Sequence, residues 1–227
     1  MRRPPDWLVA LADAVSQVPA EQVSRFLPPD EGGRESAVLM LFADGPDGPD
    51  VLLIERAHTL RSHAGQPAFP GGAIDPTDAD AEDAALREAE EEVGLDSSSV
   101  EVLARLPTLW IPVTGFVVTP VLAWWHSPAP VAPVDLGEVA GVVRVPVAEL
   151  ADPANRVRVR HPSGWIGPAF TVRGLLVWGF TAGLVDTLLR LGGWEREWRP
   201  GELRELPLGT VGEPRTTGAA GPGSEQH

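Results

Sequence analysis

Apolar residues first recur at helical spacing: Trp7, Leu8, Leu11, Val15 and Val18 share one face, with Asp6 where an N-cap would stand. The pattern predicts an amphipathic helix over 6–18, closed by Pro19 and again by Pro28-Pro29. β-rich runs follow at Ala37–Phe42 and Val51–Ala57, and the turn-rich stretch 43–50 between them predicts an antiparallel pair with a long loop. The segment from His58 to Asp78 is dense in Gly and Pro, and at about twenty residues it reads as a functional loop rather than a connector. A strong helix is predicted from about Ala79 to Val93, with Gly94 as its stop.

Further along, strands are predicted at Glu101–Leu106, Thr114–Trp124 and Val139–Val145. Arg156–His161 and Trp165–Phe170 should form a hairpin around Pro162-Ser163-Gly164, and Leu175 to Leu191 a buried helix stopped by Gly192-Gly193. From Gly212 onward no large apolar residue occurs, which predicts a disordered tail. There is no internal repeat. The order of elements predicts an α+β fold with helices on a mixed sheet. It divides into a helical extension over 1–34, one domain over 35–199 and a tail over 200–227.

With 227 residues, 43% apolar and 22% charged, the chain has the makings of a single domain with a sizeable core. Its longest apolar stretch, Leu175 to Val185, is about half of what crosses a bilayer, and the N-terminus lacks the pattern of a signal peptide. A soluble cytoplasmic protein with no membrane partner is expected. The formal net charge of −14 repels phosphate backbones, so no nucleic-acid partner is expected. There is no Cys, and all 18 basic residues are Arg. Thiol nucleophiles, zinc–thiolate sites and Schiff-base lysines are thereby excluded.

The chemistry concentrates in Arg87-Glu88-Ala89-Glu90-Glu91-Glu92-Val93-Gly94-Leu95, preceded by Phe69-Pro70-Gly71-Gly72. On a helix, Glu88, Glu91 and Glu92 crowd their carboxylates within one turn, a repulsion that a hard dication cancels. Leu86, Ala89 and Val93 lie on a different stripe that would fix where the glutamates point. Acidic runs on helices are more often solvated faces, and Arg87–Glu91 could simply support one.

Taken together, Gly72, Asp78, Arg87, Glu88, Glu91, Glu92, Gly94 and Leu95 resemble the signature of the Nudix family. The first acidic position is Asp, and eight residues rather than seven separate it from Arg87. Leu52–Ala57, Leu60–Gly72, Asp75-Pro76 and Asp78 are similar to the extra motif of that family's coenzyme A pyrophosphatase subgroup, which has the same lengthened spacing. The likeness extends over about residues 35–192, through Val145-Pro146, Glu149-Leu150 and Trp178–Ala182.

This resemblance implies an α/β/α sandwich around a mixed sheet and a Mg²⁺- or Mn²⁺-dependent hydrolase. The substrate implied is coenzyme A or its thioesters, cleaved to 3′-phospho-AMP and a phosphopantetheine. Glu88 and Glu92 are the first metal ligands expected, with Glu91 next, and Arg87 is expected to orient a glutamate. Gly71 and Gly72 would let the backbone turn closely over the site. Arg56, Arg61 and His63 are expected to meet substrate phosphates, guanidinium forks matching phosphate oxygens.

The general base is open between Glu138 and Glu149. Trp124, Trp125, Trp165 and Trp178 are assigned to core or rim packing, with an adenine stack open for one of them. The helix bearing Trp7 either caps the domain or meets a second copy of the chain. The rival functions are hydrolysis of another diphosphate, such as ADP-ribose or a nucleoside diphosphate derivative, and a non-catalytic ligand-sensing module.

Overall fold

The computed structural model describes residues 3–29, 31–60, 63–199 and 203–206. Along the chain run α1 (Asp6–Gln17), the short α2 (Ala20–Val23), β1 (Arg34–Gly45), β2 (Gly48–Arg56), β3 (Pro67–Ala68), β4 (Gly71–Ala73), α3 (Ala81–Val93), β5 (Val100–Arg105), β6 (Leu109–Ile111) and β7 (Phe116–Trp125). Then come β8 (Val139–Pro146), the short α4 (Val147–Leu150), β9 (Arg156–Arg160), β10 (Ile166–Val172), β11 (Leu175–Val177), α5 (Gly179–Leu191) and β12 (Leu203–Glu205).

The main sheet is mixed. β1 pairs in parallel with β7, which carries β5 and β6 antiparallel on its far edge, while β8 runs antiparallel along β2. The β1–β2 ladder continues until Gly45 faces Gly48. The segment read as a long loop is therefore two extended arms joined by Pro46-Asp47, and Gly48 supplies the left-handed conformation at φ 99° that closes the turn. Turn-forming composition had masked strand geometry.

Beyond this turn β1 and β2 diverge, and the long Gly/Pro segment fills the gap. β3 pairs with β2 through Ile54 and Ala68, and β4 pairs with β1 from Ser36–Ala73 to Val38–Gly71. Leu39 N–H donates to Pro70 O at 2.8 Å between them. The stretch 67–73 is thus a wedge held in the sheet on both sides.

Strand alternation sorts the core into two layers. Ala37, Leu39, Leu41, Leu52 and Ile54 lie under α3. Met40, Phe42, Val51 and Leu53 point the other way, toward α1 and α5. Helices thus cover both faces of the sheet. Trp7 packs edge-on against Phe42 at 5.9 Å and against Trp194 at 5.5 Å, so α1 caps the domain.

A second sheet, ordered β11-β10-β9-β12, stands beside β3. The helix expected from Leu175 begins only at Gly179. Leu175–Val177 instead pairs back on Phe170–Val172 across the Arg173-Gly174 turn, and Gly179 breaks the run at φ 65°. A short apolar run does not by itself distinguish a buried strand from a buried helix. Among the described residues no helix is long and apolar enough to cross a membrane. The tail expected from Gly212 lies outside the described residues.

Because Leu11 is fully buried in the main core, Leu11→Ala should destabilise the fold by about 3 kcal/mol. Urea denaturation checks this; a loss below about 0.5 kcal/mol, the level of an ordinary surface substitution, would mean that α1 is not part of the cooperative unit.

Candidate active site

The helix that carries the acidic run is well specified locally. Asp80 caps α3, accepting from the backbone N–H groups of Glu82 at 2.8 Å and Asp83 at 3.1 Å. Gly94 ends it in the left-handed conformation at φ 69°. Ala81, Ala84, Ala85, Ala89 and Val93 form the buried stripe, and their small side chains bring the helix axis close to the sheet. Glu88 and Glu92 consequently face the wedge.

The wedge meets them with glycines. A Cβ at Gly72 would lie 2.4 Å from the Glu88 carboxyl carbon, and one at Gly71 would lie 2.2 Å from Ala37 O. Gly71 also donates its N–H to Glu92 Oε2 at 3.0 Å. Arg56, at the end of β2, brings Nη1 to 4.0 Å from Glu92 Oε1.

Burial raises Glu92 to about 7, and the Glu88 and Glu138 charges add to this, while the Gly71 N–H and Arg56 oppose it. Glu88 is also raised by burial, against the pull of Arg87. Both groups are thus poorly accommodated as anions by the chain alone.

Arg87 ties the neighbouring acids together. Its Nε and Nη2 grip Asp78 at 2.8 and 2.9 Å, Nη2 also donates to Ala73 O, and Nη1 reaches Glu88 and Glu91 at 3.1 Å each. The guanidinium lowers Asp78 to about 2. Asp78 is therefore the partner that orients Arg87. Glu91, with its side chain 61% exposed, turns toward Arg87 and solvent rather than toward the wedge.

Of the loop residues, His63 holds φ 58° and places Nδ1 2.9 Å from Gln66 Oε1. Arg61 lies outside the described residues. Arg56 Nε is buried without an acceptor, a donor suited to an anionic ligand.

The two glutamates considered for the base lie in different surroundings. Glu149 is gripped by Arg173 through Nε and Nη2. Glu138 lies close enough to raise Glu92, at the end of a strap that the site itself holds. Ala132 and Val134 N–H donate to Val93 O and Glu92 O at the end of α3, and Ala57 N–H donates to Glu138 O at 2.8 Å. Those pairings cross between distant segments, and no local sequence pattern announces them.

Among the described residues no three acidic or histidine side chains converge as a metal-binding group. The chain's own donors still fit a hard dication. Glu88 and Glu92 offer oxygen ligands whose charge burial disfavours, and Mg²⁺ is commonly held by one or two carboxylates plus phosphate oxygens and water.

The chain matches the family model of the NUDIX domain over residues 33–164 and belongs to the Nudix family. It is a Nudix hydrolase of diphosphate substrates, in a family generally dependent on divalent metals. It is 41% identical over 176 residues to the uncharacterized Nudix hydrolase NudL of Cronobacter sakazakii, covering 70% of this chain and 83% of that one. The same identity extends over 173 residues to NudL of Escherichia coli K12, again covering 70% and 83%. A crystal structure of a Nudix hydrolase from M. smegmatis, RenU, shares the fold at a TM-score of 0.52 and 24% identity, covering 74% of this chain and 91% of that one.

The Glu92 carboxyl has a testable cost. Its pKa rises from an ordinary 4.5 to about 7 in the folded state, so folding favours its protonated form. This contribution is complete below 4.5 and is lost as the pH climbs through about 7, where the buried anion costs roughly 3 kcal/mol. In EDTA, Glu92→Gln should melt above the wild type at pH 8.5 and level with it near pH 4.5. A difference independent of pH would show that burial does not disfavour this charge.

Proposed function

We propose that the chain is a Mg²⁺- or Mn²⁺-dependent hydrolase that cleaves the diphosphate of coenzyme A or its thioesters, yielding 3′-phospho-AMP and the corresponding phosphopantetheine. The observation that carries this reading is the pair of buried carboxylates, Glu88 and Glu92, pressed against the glycine wedge with Arg56 alongside. Choice of substrate rests on the motif running from Leu52 to Asp78, whose arginines match phosphate oxygens.

Glu88 and Glu92 hold the cations, and exposed Glu91 serves as an outer acid. When bound, the dications supply charge neutralisation at the diphosphate oxygens and a more acidic water. Arg56 presents its unpartnered Nε to a phosphate. Arg61 and His63 extend the same role over the loop. Arg87, fixed by Asp78, orients Glu88 and touches no substrate.

Glu138 accepts the proton of the attacking water. The water oxygen bonds to phosphorus, the bridging P–O bond breaks and its electron pair leaves with the departing phosphate. Glu149, neutralised by Arg173, takes no part.

Turnover with Mn²⁺ should be measured on coenzyme A, ADP-ribose, NADH and dinucleoside polyphosphates. Coenzyme A is expected to have the highest kcat/KM; a clear preference for ADP-ribose would reject the substrate assignment and keep the enzyme class. Glu92→Gln should weaken Mn²⁺ binding and abolish measurable turnover. Glu138→Gln should lower kcat by about 10²–10⁴-fold, the usual worth of a general base, with Mn²⁺ affinity retained. Glu149→Gln should change neither, and a loss of turnover there equal to that of Glu138→Gln would reverse the assignment.

A further inference from the structure

Glu138 combines two properties that pull against each other. Its carboxylate is exposed and enters no ion pair or hydrogen bond among the described residues, which leaves it free to take a proton. A glutamate held by nothing at its tip also samples several rotamers, and those that point away from the site are lost to the reaction. Whatever aims this side chain must act on its backbone.

The backbone there is held from both sides. Ala57 N–H donates to Glu138 O at 2.8 Å. In the other direction, three successive N–H groups converge on one residue. Gly137 N–H donates to Asp135 Oδ1 at 2.7 Å, and those of Glu138 and Val139 donate to Asp135 O at 3.1 and 2.9 Å. The first of these is the side-chain-closed turn that aspartate favours. A Cβ at Gly137 would stand 3.0 Å from that same Oδ1, so the turn is drawn tight around the carboxylate.

The entry to β8 sets the level at which this turn ends. Gly141 lies opposite Glu55, whereas Val139 lies opposite Arg56, so Ala140 is an extra residue that β2 does not match. A bulge of this kind re-aims its neighbours and is common beside active sites. Here it draws the chain back by one position. Glu138 is thereby level with Ala57, next to the arginine whose Nη1 is 4.0 Å from Glu92 Oε1. Just upstream, Val134 N–H donates to Glu92 O at 3.1 Å. Asp135 therefore follows directly on a bond to the helix that carries Glu88 and Glu92, and its own bonds end at Glu138 and Val139.

We propose that Asp135 is a positioning residue for the hydrolysis, its side-chain oxygen closing the turn that aims Glu138 toward Glu88 and Glu92. The inference rests on reading Glu138 as the base, and it names the residue through which the end of α3 fixes that base relative to the two carboxylates. Asp135 itself touches no substrate. Its Oδ1 serves as an acceptor rather than as a charge, so the amide oxygen of an asparagine can take its place.

Asp135→Ala in the full chain should lower kcat by roughly 10–10²-fold, the cost of misplacing a reacting group by up to about 1 Å. KM for the preferred diphosphate and Mn²⁺ affinity should stay near their wild-type values. Asp135→Asn should restore most of kcat. Added to Glu138→Gln, Asp135→Ala should lower kcat no further, because the group it positions is already gone. Amide hydrogen exchange at Gly137, Glu138 and Val139, read without turnover, should quicken in Asp135→Ala and not in Asp135→Asn. Wild-type kcat in Asp135→Ala beside an impaired Glu138→Gln overturns the positioning role alone, as do equal losses in Asp135→Asn and Asp135→Ala or a further loss in the Glu138→Gln background. Full turnover in Glu138→Gln instead overturns the base reading and takes this role with it.

Discussion

The close approach of α3 to the glycine wedge is the constraint from which the site follows. Two carboxylates four residues apart are pushed against a wedge where a side chain at Gly72 would collide with Glu88 and one at Gly71 with the backbone of β1. The alanine stripe beneath the helix sets that distance, and the wedge is pinned by β1 on one side and β2 on the other. Neither partner adapts to the other at this spacing. The carboxylates are held partly desolvated, which disfavours their charged forms.

Arg87 plays a second part in that arrangement. One guanidinium spans Asp78, the Ala73 carbonyl, Glu88 and Glu91, using the fixed fork that a lysine ammonium lacks. It joins the end of the wedge, the loop before α3 and the helix itself. The acid it binds most tightly, Asp78, stands outside the helix, so the loop before α3 sets the orientation of the arginine that steadies Glu88.

The helix and its acids were legible because their determinants are local: Asp80, the alanine stripe and Gly94 all lie within one segment. The layered α+β architecture was legible for a similar reason, since strand alternation survives in the sequence. What escaped reading depends on pairing at long range. The wedge strands are two and three residues long and have no periodicity to detect. The strap from Ala132 to Glu138 is recognisable only once the end of α3 and Ala57 are known to meet it. Leu175–Val177 reads as helix in the sequence because its partner strand, and not its own residues, makes it extended. Asp78 looked like a shifted copy of a family position, and only the geometry shows which cation it serves.

The divided sheet also separates two kinds of sequence freedom. Residues 67–73 are clamped by neighbours on both edges, so a single insertion there would throw the glycines out of register. The excursion between Arg56 and Gln66 is fastened at its root by Gly65 N–H to Arg56 O and Arg56 N–H to Gln66 O. Length added or removed within that excursion leaves the clamp intact. Insertions and deletions are therefore tolerated between those two fastenings, while the seating of Gly71 and Gly72 against Glu92 and Glu88 stays fixed.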